Sequence, residues 1–70
     1  MMARTILKFP EDLRKKVEKV CEDIRKRDSS FAYEINDKII IFSDNKKQAF
    51  ARGMWFRKNV SMRIKFEVVE

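Results

Sequence analysis

The feature that most constrains this chain is an internal echo. Ile6, Leu7 and Phe9 are followed 33 positions later by Ile39, Ile40 and Phe42. At the same offset Phe31, Tyr33, Glu34 and Ile35 are followed by Ile64, Phe66, Glu67 and Val68. Short apolar segments with a period of two are strands with one buried face. Between the members of each half lies a stretch with helical spacing. The chain therefore reads as strand, helix, strand, repeated once, and its two halves must be related by an approximate twofold.

Taken in order, residues 1–4 read as a loose leader, and Met1-Met2-Ala3-Arg4 lacks the apolar stretch of a signal peptide. Thr5 to Phe9 is a strand with Leu7 and Phe9 on one face and Ile6 and Lys8 on the other. Pro10 suits a first helical position, and Glu11 and Asp12 suit the positive end of a helix dipole. The first helix is expected over Pro10 to Arg27. Leu13, Val17, Val20, Cys21 and Ile24 form its single apolar stripe. Asp28-Ser29-Ser30 is a turn, and Phe31 to Ile35 a strand with Phe31, Tyr33 and Ile35 inward.

Asn36-Asp37 reads as a two-residue hairpin link of types that tolerate positive φ. The strand Lys38 to Phe42 follows. If it copies the first strand, Ile40 and Phe42 face in and Ile39 and Ile41 face out. Ser43 or Asp44 caps a second helix that runs to about Asn59. Its expected inner face is Ala49, Phe50, Gly53 and Met54, with Phe56 and Arg57 at the margins. Trp55 then points the other way, beside Lys47, Ala51, Arg52 and Lys58. Ser61 to Val69 is the last strand, alternating Met62, Ile64, Phe66 and Val68 against Arg63, Lys65 and Glu67.

Two such split units with right-handed crossovers give one α+β domain over residues 1–70. It is a ferredoxin-like βαββαβ sandwich, a four-stranded antiparallel sheet in the order 4-1-3-2 with two helices on one face. A swapped dimer would use the same local elements.

The residue inventory bears on function. The chain has no histidine, and no Gly-rich phosphate loop or paired-carboxylate motif. Cys21, the only cysteine, falls on the buried stripe. A non-enzymatic protein without cofactor or metal is expected. No apolar run approaches the roughly 20 residues that cross a membrane, so a cytoplasmic setting is the default. Seventeen Lys and Arg against eleven Asp and Glu give +6 and a pI near 9.8, which favours phosphate-rich partners.

Two surfaces stand out. One is the open face of the sheet, with Ile6, Ile39 and Ile41 at its centre and Lys8, Arg63 and Lys65 on its basic flank. The other is the outer side of the second helix and the turn after it: Lys46, Lys47, Arg52, Trp55, Arg57, Lys58 and Arg63. An outward indole among cations stacks on an unpaired base, anchors a protein interface, or, if the helix is rotated, packs beneath the last strand. The first functional reading is a basic nucleic-acid-binding protein for RNA or single strands, dominated by backbone contacts. The alternative is a protein-interaction module, a homodimer or an inhibitor or modulator of a larger enzyme, acting through Ile6, Ile39 and Ile41 or an edge strand.

The segment Ile41-Phe42-Ser43-Asp44 through Ala49 resembles the third strand of RNA-recognition-motif proteins running into their second helix. The resemblance covers about a dozen residues and implies bases stacked on outward side chains of the two central strands. In the reading above those outward positions are Ile6, Lys8, Ile39 and Ile41, and the glycine of the third-strand motif is absent.

Overall fold

The turn between the second and third strands sets the faces of the sheet. In a computed structural model describing residues 2–70, β2 (Ala32–Ile35) and β3 (Ile39–Ser43) are joined by residues 36–38. The link is thus three residues long, not two, and no non-glycine residue there or elsewhere among the described residues has positive φ. The Asn36 N–H donates to the Lys38 carbonyl at 3.0 Å. Arg14, at the start of α1 (Arg14–Arg27), reaches across and donates to the carbonyls of Asn36 and Asp37. Ile35 consequently pairs with Ile39 and Tyr33 with Ile41.

A one-residue change of register moves every side chain of a strand to the opposite face. This corrects the expected faces of β3: Ile39 and Ile41 are 0% exposed in the core, while Ile40 and Phe42 stand half-buried on the open face.

The remaining elements are β1 (Ala3–Lys8), a 3-10 turn (Glu11–Leu13), α2 (Lys46–Asn59) and β4 (Lys65–Val69). All neighbours are antiparallel in the order β2-β3-β1-β4. This is the α+β ferredoxin-like arrangement that the strand–helix order implies. Ala3 and Arg4 belong to β1 rather than to a leader, and Met1 lies outside the described residues. Pro10 is extended and precedes the 3-10 turn instead of opening the helix. β4 is shorter than expected, because residues 61–64 turn: the Ser61 carbonyl accepts from the Ile64 N–H at 3.2 Å, and Met62 projects into solvent.

Beneath the helices, Ala3 pairs with Ser43 at one end of the sheet, and two longer rows of side chains cross all four strands. Tyr33, Ile41, Thr5 and Val68 form one, and Ile35, Ile39, Leu7 and Phe66 the other. Val17 and Cys21 of α1, and Ala49, Gly53 and Phe56 of α2, close over them. Ile35 reaches the edge and is exposed.

α2 differs from expectation by a rotation. Phe56 is buried, whereas Phe50 and Met54 are 56% and 44% exposed. Small residues explain the phase. With Ala49 and Gly53 inward, the helix backbone comes close enough for the buried Thr5 hydroxyl to donate to the Ala49 carbonyl at 2.7 Å. The Phe66 ring lies flat against the Gly53 backbone, so that a Cβ built there would fall inside contact distance of the ring. The Asn45 side chain caps α2 by accepting from the Gln48 N–H at 2.8 Å, and Gln48 answers by accepting from the Asp44 N–H at 2.9 Å. The cap is therefore Asn45, not Ser43 or Asp44.

Replacing Gly53 by Ala adds helix propensity of about 1 kcal/mol but forces the Phe66 ring aside, an overpacking that costs typically 1–3 kcal/mol. Urea denaturation is expected to show Gly53→Ala less stable than the parent despite the better helix former.

Candidate nucleic-acid interface

Ala49, Gly53 and Phe56 point α2 at the sheet, and the other positions follow at 100° per residue. Gln48, Arg52 and Trp55 lie on the flank toward α1. Phe50, Met54 and Arg57 lie on the flank toward β4. Lys47 and Lys58 stand exposed on the crest between them. Of the two helices, α2 packs mainly on β1, β3 and β4, and α1 on β2. An open groove of about 390 Å³ is left between them, lined by Ile24, Arg27, Gln48, Ala51, Arg52 and Trp55.

Trp55 is 40% exposed, its ring edge-on to Phe56 at 5.1 Å between centroids. Phe56 fixes one side of the indole while the rest borders the groove. Arg52 is half-buried, its guanidinium carbon 5.0 Å above the centre of the buried Phe31 ring. That stacking holds the cation at the groove, and its Nε has no hydrogen-bond partner among the described residues. The nearby Asp28 carboxylate accepts from the Ser30 hydroxyl at 2.6 Å and the Ser30 N–H at 3.0 Å. These bonds, with a smaller contribution from the charge of Arg52, hold its pKa below the usual range.

The cations singled out from the sequence do not form one ridge. Lys46, Lys47 and Lys58 are exposed along α2, and Lys65 is exposed at the start of β4. Arg57 is on the flank opposite Arg52 and Trp55. Arg63 grips both carboxylate oxygens of Asp12, at 3.0 and 3.1 Å. Lys8 bonds Glu67 at 3.0 Å across the open face. Arg27 and Gln48, which the sequence reading did not select, complete the groove. Their position depends on how far the helices splay, which no local pattern encodes.

The open face also changes its membership. Ile6 is there as expected, but Ile39 and Ile41 are in the core, and their places are taken by Ile40 and Phe42. Its rows are Ala32, Phe42, Arg4 and Val69, then Glu34, Ile40, Ile6 and Glu67, then Lys8 and Lys65. An aromatic ring therefore does stand on a central strand, beside Arg4.

Cys21 is fully enclosed by the core. Burial, reinforced by the Glu18 charge, pushes its thiol up to about 12, so the reactive thiolate is disfavoured. Among the described residues no cluster of three or more His, Cys, Asp or Glu side chains has the arrangement to hold a metal ion. No described helix is long and apolar enough to cross a membrane. Comparison with protein-family models, curated proteins and solved structures returned no match.

Three exposed carboxylates have lowered pKa values: Asp12 through its bonds from Arg63, Asp28 through Ser30, and Glu67 through Lys8. The unfolded chain, with carboxyl pKa values near 4, binds more protons than the folded one in this range. The stability they contribute is present above about pH 4–5 and is lost as pH falls through the lower native values. The urea midpoint should decline on acidification, and less steeply in Glu67→Gln. Identical decline in the two proteins would show that the Lys8–Glu67 pair carries none of it.

Proposed function

We propose that the chain is a small non-enzymatic nucleic-acid-binding protein that holds RNA or another single strand, chiefly by its backbone, in the groove between α1 and α2. One observation carries this reading: a partly exposed indole shares an open groove with two arginines, and no carboxylate lines it. An unpaired base stacks on the free part of the Trp55 ring, a contact worth about 1–3 kcal/mol per base. Arg27 and Arg52 meet phosphates at the groove, and Lys47 and Lys58 on the crest guide the strand in. None of these four forms a salt bridge among the described residues, so phosphates need displace no carboxylate from them. Arg63 and Lys8 would have to leave Asp12 and Glu67 first, which makes them secondary contacts. The net charge of +6 supplies the long-range attraction.

Trp55 is the only tryptophan, so its fluorescence reports this site alone. Titration with single-stranded RNA and DNA oligonucleotides at low salt is expected to quench it. Trp55→Ala should weaken binding by roughly 5- to 150-fold, the equivalent of about 1–3 kcal/mol. Lys47→Glu and Lys58→Glu should each flatten the dependence of log K on log salt by about 0.7 or more. Absence of quenching and of any mobility shift at about 20 mM salt would end this reading.

A further inference from the structure

The free edge of β4 carries a second feature, unrelated to the groove that holds Trp55. Among the described residues β4 pairs only with β1, so its other side presents unpaired backbone N–H and C=O groups. Beside that edge runs a groove of about 460 Å³ lined by Phe50, Met54, Arg57, Lys65, Phe66 and Val68. Phe50 and Met54 are among the most exposed large apolar side chains described, and the Phe50 ring meets Phe66 edge-on at 5.4 Å. An unprotected edge next to exposed apolar side chains is a template for strand addition.

We infer that its occupant is β4 of a second copy, paired antiparallel in a register centred on Phe66. The charges of the strand select this arrangement. Lys65 and Glu67 are both exposed on the open face, on either side of Phe66. Among registers that keep both helix layers on one side of the joined sheet, centring on Glu67 sets Glu67 against its own copy. Centring on Lys65 sets two lysines together. Centring on Phe66 sets Lys65 opposite Glu67 of the second copy, and symmetry supplies the same pair again. Each Glu67 then lies between Lys8 of its own chain and Lys65 of the other. On the helix side the two Phe66 rings become neighbours, and Phe50 and Met54 of both copies face a shared apolar strip. The product is a continuous eight-stranded sheet that leaves both Trp55 grooves open.

Sedimentation equilibrium of the full chain tests this directly. The parent is expected to dimerise below about 1 mM. Lys65→Glu alone and Glu67→Lys alone each create two like-charged cross-strand pairs and should weaken the dimer at least about tenfold. An equimolar mixture of the two single variants should restore association, since every cross-strand pair in the heterodimer is again opposite in sign. Both substitutions are at exposed positions, and far-UV circular dichroism confirms that each variant is folded. A monomeric parent would overturn the inference. So would a dimer indifferent to the single substitutions, or a mixture that stays monomeric.

Discussion

The length of the connection between β2 and β3 governs what the sheet shows to its surroundings. With residues 36–38 in the link, Tyr33 stands opposite Ile41 and Ile35 opposite Ile39. The same register carries through β1, where Thr5 pairs with Ile41 and Leu7 with Ile39. One residue fewer would turn Ile40 and Phe42 inward and empty the open face of its aromatic ring. The link is held by its own Asn36 to Lys38 hydrogen bond and by Arg14 from α1. The helix layer thus helps fix the strand register that the helix layer then covers.

Much of the fold is legible in the sequence because period-two and helical spacing are strong signals. The Leu13 to Ile24 stripe and the Phe31, Tyr33 alternation both mark core positions, and the doubled strand–helix–strand order leads to the observed sheet. The echo at 33 residues is only approximate in space. The inward faces of the helices correspond at 32, Val17, Cys21 and Ile24 matching Ala49, Gly53 and Phe56. Thr5 and Leu7 match Ile39 and Ile41 at 34, while Phe31 and Ile64 keep 33. In a strand an odd error inverts the face, so a single uniform offset misplaces all of β3 while leaving β2 and β4 correct.

The phase of α2 was hidden for a different reason. Its apolar residues run almost around the helix, from Ala49 and Phe50 to Met54, Trp55 and Phe56, so hydrophobicity alone names no inner face. The choice is made by close approach: Gly53 under Phe66 and Ala49 over Thr5 admit the helix backbone, and bulkier residues at those positions would not. Turning Phe56 in leaves Trp55 beside one groove and Phe50 with Met54 beside the other. One helix therefore borders both candidate contact surfaces, a cationic one toward α1 and an apolar one toward the free sheet edge. Trp55 was legible as outward, but its partners Arg27 and Gln48 were not, because the splay of two helices is a tertiary property.

The register of β3 decides which side chains each face of the sheet presents, and paired alanine substitutions measure it most directly. In urea denaturation Ile41→Ala should cost about 2–5 kcal/mol, as for a fully buried isoleucine, and Ile40→Ala about 1 kcal/mol or less. Equal losses, or a larger loss at Ile40, would contradict the account.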